Sequence, residues 1–310
     1  MSVNSRFPLL NPQSISKLPP VALKALRVVE GTLAGLHQSP HHGQSIEFNQ
    51  HKEYSPGDEI RKIDWKLYAK SDRYYVKQFE DETNVRAFLL LDASASMAYP
   101  DGQEDDRPSK FRYGAILALS MAYLLFRQGD AAGLFVFNEQ LRNLMPPRNK
   151  PSYLLPLSLT LEDEKPQGET ALFPILQQMS EVVRRKRSML VLFSDLFVDL
   201  SKVGPLLRQY NAQGHDVILF HLLDKDELEF PFREQTLFQD LEVKNQELQI
   251  DAHAIRPYYL EEMQSYLDQV KRTCHEGGIE YWQVNTSEEP EIVLRNFLLQ
   301  RSRSRRRRAI

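Results

Sequence analysis

Cysteine is almost missing from this chain of 310 residues, which holds one, Cys274. A lone thiol excludes an internal disulfide and any thiolate zinc cluster, and it fits a reducing compartment. Long apolar runs are missing too: no segment approaches the roughly 20 residues needed to span a bilayer. The N-terminal stretch, with Asn4, Arg6 and Pro8, has no signal-peptide core, so a cytoplasmic protein is expected. Three common catalytic signatures are also absent: the Gly-x-x-x-x-Gly-Lys phosphate loop, the Gly-x-Gly-x-x-Gly turn and the Gly-x-Ser-x-Gly nucleophile elbow. No internal repeat is present. What remains is 42% hydrophobic and 26% charged, the balance of a soluble globular protein long enough for one large core and a small accessory unit.

Charge of one sign is scarce only in total. The formal net charge is −3, but residues 301–308 hold six arginines, leaving 33 basic against 42 acidic residues elsewhere. Self-repulsion predicts a disordered basic tail over residues 301–310. Its simplest role is solubility; contact with nucleic acid or an acidic membrane surface is the alternative.

The most informative stretch is Leu89-Leu90-Leu91-Asp92-Ala93-Ser94-Ala95-Ser96-Met97. Residues 85–91 leave no room for a solvent face, so they read as a buried strand, central in a parallel sheet. Open α/β sheets bind ligands at the carboxyl ends of such strands. Asp92, Ser94 and Ser96 alternate along the loop that follows, so one carboxylate and two hydroxyls can converge on a point. An isolated Asp-x-Ser-x-Ser also serves as a plain helix cap. Two later positions argue against that reading: Thr170, in a loop before an apolar helix, and Asp195, at the end of the apolar strand 189–193. In a doubly wound sheet both reach the edge where Asp92 lies. Such an all-oxygen set suits a hard cation, Mg²⁺ or Mn²⁺.

Asp92, Ser94, Ser96, Thr170 and Asp195 together resemble the metal-ion-dependent adhesion site of a von Willebrand factor A domain. The chain is more similar still to a bacterial branch, the domain-of-unknown-function-58 family. That likeness rests on residues 54–65, containing Tyr54, Gly57, Asp58, Arg61, Asp64 and Trp65. It rests also on Gly129-Asp130-x-x-Gly133-Leu134-x-x-Phe137, and on Phe238-x-Asp240-Leu241-Glu242 followed by Arg256 and Tyr259. The resemblance implies a doubly wound, mainly parallel α/β fold of von Willebrand factor A or Rossmann type. It also implies a metal held by those five residues, and a MoxR-type hexameric AAA+ ATPase as partner in assembling or remodelling other proteins.

The rest of the chain divides accordingly. Residues 1–84 are expected to form an N-terminal helix, opened by Pro19-Pro20, and a small β-rich accessory unit. Within that unit Ser55-Pro56-Gly57-Asp58 suits a type II turn. The segment from Asp58 to Trp65 then fastens the accessory sheet with Trp65 as anchor, or offers a docking surface. The histidines at 37, 41, 42 and 51 have no acidic or thiol partner at regular spacing and read as surface residues. Residues 85–300 alternate strand and helix. Residues 224–251 break the alternation and predict a hairpin insertion packed on the accessory sheet.

Hydroxyl ligands leave a dication underneutralised, so an open coordination position attracts a carboxylate from a partner without any reaction. The expected function is therefore non-enzymatic, Mg²⁺-dependent protein binding, with no small-molecule substrate. Two rivals stand beside it: a metal-dependent hydrolase or phosphoesterase, which needs a general base near Asp92, and a nucleic-acid or membrane adaptor acting through the arginines.

Overall fold

The computed structural model of the chain describes residues 10, 15–38, 51–53, 75–77, 85–100, 107–183, 186–242 and 247–308, with backbone only at 37–38, 51–53, 75–77 and 304–308. The chain divides into two compact units, Met1–Leu36 with Val85–Ile310, and His37–Asn84. In the larger unit α1 (Pro20–Gln38) precedes the excursion into the smaller one. The described part of the smaller unit is an antiparallel pair, β1 (His51–Glu53) and β2 (Tyr75–Lys77). The signature residues Tyr54, Gly57, Asp58, Arg61, Asp64 and Trp65 lie outside the described residues, as do the loop 101–106 and the histidines at 41 and 42.

From residue 85 onward strand and helix alternate. β3 (Arg86–Asp92) leads into α2 (Lys110–Arg127), β4 (Ala131–Phe137), the edge strand β5 (Leu141–Arg148), α3 (Leu154–Asp163) and α4 (Leu172–Val183). β6 (Met189–Ser194), α5 (Leu200–Ala212) and β7 (Asp216–Leu223) follow. A short α6 (Lys225–Glu229) and the hairpin β8 (Gln235–Gln239) and β9 (Glu247–Asp251) then interrupt the pattern. α7 (Ala252–Gly277), β10 (Glu280–Asn285) and α8 (Pro290–Arg308) complete it.

The six-stranded sheet has the order β10-β7-β6-β3-β4-β5, parallel except for antiparallel β5. Period-two alternation sends successive side chains of each strand to opposite faces. Leu89, Leu91, Val191, Phe193, Ile218 and Phe220 enter one core, under α1, α2, α3 and α8. Phe88, Leu90, Leu190, Leu192, Val217 and Leu219 enter the other, under α4, α5 and α7. Burying each such side chain contributes about 1.5–3 kcal/mol. That two-sided burial is why β3 reads as an unbroken apolar run. α2 is apolar on nearly every side because it is buried along most of its length; Ser109 caps it by accepting from Arg112 N at 3.2 Å.

Three elements differ from the sequence expectation. α1 packs Val21, Ala22, Ala25, Leu26 and Val29 into the α/β core, so it belongs with the larger unit and not with the accessory unit of residues 1–84. The reason is its apolar stripe, which needs a larger surface to cover it than a small sheet offers. Residues 301–308 are helical rather than a disordered tail. They extend a helix already nucleated by its buried first half, and propagation is easy once the nucleus exists. Arg301 at its root pairs with Asp216 and, at 2.7 Å, with Glu280 Oε2. Finally, the stretch from 224 opens with α6, whose Asp224 and Glu227 form a reciprocal capping box, before the expected hairpin begins.

Candidate metal centre

The chain leaves β3 toward β4 on one side and later returns to place β6 on the other. Loops after β3 and β6 therefore diverge at the topological switch point, where open α/β sheets form their crevice. Asp92 ends β3, and Asp195 follows β6 directly. Ser94 and Ser96 lie in the first loop and Thr170 in the loop before α4.

The structure brings these residues together through direct contacts. Asp92 Oδ1 accepts from Ser94 N at 2.9 Å, which folds the loop back on the carboxylate. Thr170 Oγ1 donates to Asp92 Oδ2 at 3.2 Å, and the Ser94 and Ser96 hydroxyls lie 3.1 Å apart. Ser94 heads a one-turn 3₁₀ helix, Ala95–Ala98, yet its side chain makes no capping bond. Its hydroxyl is thus turned toward the acids, contrary to the plain capping role. Thr170 is set by backbone pairing between the two loops: Gln167 N donates to Ala93 O at 2.8 Å, and Ala95 N to Gly168 O at 2.9 Å. Buried Asn138 fastens the same loop by donating to Gln167 O at 2.7 Å.

Asp92 and Asp195 are both 0% exposed. Burial, followed by the charge of Asp195, pushes the Asp92 carboxyl up to about 7, although hydrogen bonds from Ser194 and Ser94 oppose the rise. Asp195 Oδ2 accepts from Lys110 Nζ at 2.7 Å, while Asp195 Oδ1 is buried without a hydrogen-bond partner. A buried carboxylate oxygen with nothing to bind carries a desolvation penalty of about 1–3 kcal/mol or more. A hard cation among Asp92, Asp195 and the hydroxyls would remove that penalty, so the residues fit the metal expected from the sequence. Among the described residues no group of three or more His, Cys, Asp and Glu is gathered for a metal. The donor set here is two acids and three hydroxyls, which suits Mg²⁺ rather than a thiolate or imidazole metal.

Several residues at the site were not singled out from the sequence. Ser194 Oγ donates to Asp92 Oδ2 at 2.7 Å and accepts from Leu196 N at 3.0 Å, joining the two strand ends. Its signal was present, as a hydroxyl adjacent to Asp195. Lys110 is fully buried and shared between Asp195 and Glu227 Oε1 at 2.5 Å. Burial alone would depress its ammonium, but the charges of Asp195 and Glu227 hold it above its ordinary value. Glu227 also closes the α6 capping box through its other oxygen, so one carboxylate orders both the helix and the lysine.

His221, buried on β7, holds the Asp195 backbone. Its Nε2 is 2.8 Å from Asp195 O and its Nδ1 is 2.9 Å from Tyr281 Oη. A carbonyl can only accept, so Nε2 carries the proton and Nδ1 accepts from the tyrosine. Burial lowers this imidazole to about 4, which keeps it neutral. The residue after Asp195, Leu196, has φ 57°, a left-handed conformation that leucine rarely adopts. It is held by Ser194 at its N–H and by Tyr266, which donates to its carbonyl.

Residues 50–267 match the model of a family described as protein of unknown function DUF58. The chain belongs to that family. Among relatives of this DUF58 chain is Uncharacterized protein Rv1480 of Mycobacterium tuberculosis (strain ATCC 25618 / H37Rv), 22% identical over 75% of this chain and 72% of its own. Uncharacterized protein Mb1516 of Mycobacterium bovis matches with the same figures. Among solved structures, the conserved hypothetical protein BatB from Bacteroides thetaiotaomicron is similar with a TM-score of 0.45 and 14% identity, over 71% of this chain and 99% of that one. Among the described residues of the DUF58 chain, no helix is long and apolar enough to cross a membrane.

Proposed function

We propose that this DUF58 protein is a Mg²⁺-dependent protein-binding module of von Willebrand factor A type, non-enzymatic and cytoplasmic. The observation that carries this reading is the buried, unpartnered Oδ1 of Asp195 beside Asp92 and the serine and threonine hydroxyls. Asp92, Ser94, Ser96, Thr170 and Asp195 would hold the ion, directly or through water. A bound dication offsets the two carboxylates and presents its remaining coordination position to an acidic side chain from outside. This chain's own part is to hold that position rigidly: Ser194 and His221 lock the loop after β6, and Asn138 locks Thr170.

The partner we propose, from the family resemblance read in the sequence, is a MoxR-type AAA+ ATPase that would supply the acid, the pair acting in protein assembly or remodelling. The hydrolase alternative is less well supported by the site. It needs a base that can take a proton, and His221, the imidazole against Asp195, is engaged at both nitrogens and made a weak base by burial.

The test is titration calorimetry of the wild type and Asp92→Ala against the cognate ATPase, in Mg²⁺ and in chelator. Binding is expected only for the wild type in Mg²⁺, with at least about a tenfold loss otherwise, equivalent to 1.4 kcal/mol. Equal affinity in all four conditions would make the site structural at most. Metal-dependent phosphoester turnover that the variant loses would favour the hydrolase.

A further inference from the structure

Phe197 lies two residues beyond Asp195 and leaves nearly half of its side chain, 46%, in solvent. A lone exposed apolar residue is ordinary on a protein surface. Leu144, Val182 and Leu237 are exposed because the period of a strand or helix turns them outward. Phe197 is held out by other means. Leu196 before it is buried with φ 57°, and Val198 N donates to Leu196 O at 2.5 Å, closing a three-residue turn with Phe197 at its apex. The same carbonyl accepts from Tyr266 Oη. A left-handed leucine is strained, and such strain persists only where surrounding contacts impose it. The backbone therefore bears strain in a turn whose apex is an exposed phenyl ring, the opposite of what burial of apolar surface favours.

The ring is also fixed in place. It stacks on Tyr266 of α7 with centroids 5.9 Å apart and planes 22° from parallel. The Lys110 ammonium lies 5.4 Å from the ring centroid and 2.7 Å from Asp195 Oδ2. One buried cation thus meets both the ring and a carboxylate of the candidate centre, which sets the ring at the rim of that centre. A rigid aromatic side chain with much of its surface free is the kind of group that anchors protein interfaces.

We propose that Phe197 is the apolar anchor of the docking surface around the metal position, and that the partner segment carries an aliphatic side chain beside its acid. This rests on the metal-dependent reading above and names the chemistry of its partner. The occupant is an extended peptide segment. Residues two apart in such a segment point to one side and lie about 7 Å from each other, so the acid reaches the ion while the aliphatic group covers the ring. The acid supplies attraction that any carboxylate shares. The ring supplies discrimination among acidic partners.

The probes are Mn²⁺ and two capped peptides, Gly-Asp-Gly-Leu-Gly and Gly-Asp-Gly-Gly-Gly, with the full chain. Peptide binding is read by proton relaxation, as displacement of water from the bound ion. The leucine peptide should displace that water at about a tenfold lower concentration than the glycine peptide, as covering one aliphatic side chain provides. Phe197→Ala should erase the preference, and Phe197→Trp should keep it. Leu144→Ala, at an exposed apolar position on β5, should match the wild type.

Mn²⁺ binding that Asp92→Ala abolishes, with a leucine peptide that displaces no water or does so no better than the glycine peptide, overturns this proposal alone. A preference that survives Phe197→Ala does the same. Absence of saturable Mn²⁺ binding in the wild type overturns the metal reading and this proposal with it.

Discussion

Lys110 shows how one side chain organises the neighbourhood of the candidate centre. Its ammonium is buried between Asp195 at 2.7 Å and Glu227 at 2.5 Å, with the ring of Phe197 at 5.4 Å. It thus keeps Asp195 Oδ2 occupied and leaves only Oδ1 facing the centre. Replacement by methionine keeps the volume but strands two carboxylates in a dry site. Breaking a buried pair from one side costs about 3–5 kcal/mol, so Lys110→Met should lower the unfolding free energy from urea melts in chelator by about that amount. Saturating Mg²⁺ should return part of it, because the ion then supplies charge to Asp195. A variant as stable as the wild type without metal would show that Lys110 contributes no net stabilisation.

Among the elements, the edge strand β5 depends on a single glycine. A Cβ at Gly133 on β4 would lie 2.5 Å from Met145 O, 2.6 Å from Pro147 N and 2.8 Å from the Pro146 carbonyl carbon. All three are backbone atoms, which cannot rotate away. The β4–β5 register shifts between Ala132 and Leu134, so the close approach coincides with a bulge opposite two prolines that lack amide donors. Gly133→Ala should cost at least about 2 kcal/mol and lower the melting temperature by about 5 °C or more. Because β5 is at the far edge of the sheet from β6, Mg²⁺ affinity should stay within about twofold. This accounts physically for one glycine of the Gly129-Asp130-x-x-Gly133 motif. Asp130 has a role too, since its Oδ1 accepts from Val85 N at 2.9 Å and sets the start of β3.

At the scale of the whole molecule, the metal-dependent reading predicts that the candidate centre ties stability to pH and to metal. The Asp92 carboxyl is held at about 7 in the folded protein against an ordinary value of 3.8, chiefly by burial and then by Asp195. A raised acid means the folded state binds more protons than the unfolded state between those two values. The contribution of Asp92 to stability in chelator should therefore fall as pH rises from about 4 to 7 and level off above, against the opposite trend of buried His221, so it is read as the difference between wild type and Asp92→Asn. The loss is bounded by on the order of 4 kcal/mol, at 1.36 kcal/mol per pH unit. Asp92→Asn should flatten this dependence and be more stable than the metal-free wild type at pH 8, as measured by denaturant melts across pH. Saturating Mg²⁺ should stabilise only the wild type at that pH. An unchanged slope in Asp92→Asn would assign the pH dependence to other groups.

The sequence by itself determined the strands, their order of burial and the acids at their ends. Unbroken apolar runs at β3 and β6, the first stopped by Asp92 and the second by Ser194-Asp195, are local signals. The donor pattern of Asp92, Ser94 and Ser96 was legible for the same reason, because residues two apart in an extended loop share a side. Tertiary structure alone decided which distant groups meet them. Lys110 comes from the first turn of a helix, Glu227 from a five-residue helix and His221 from β7. Nothing in their local sequence marks them, since a lysine after a helix cap and a glutamate in a capping box are ordinary surface patterns. Their roles arise from the switch in strand order, which gathers loops far apart in the chain at one crevice. The helical course of residues 301–308 was likewise hidden, because charge repulsion is local whereas the helix that carries those arginines is nucleated by the buried core.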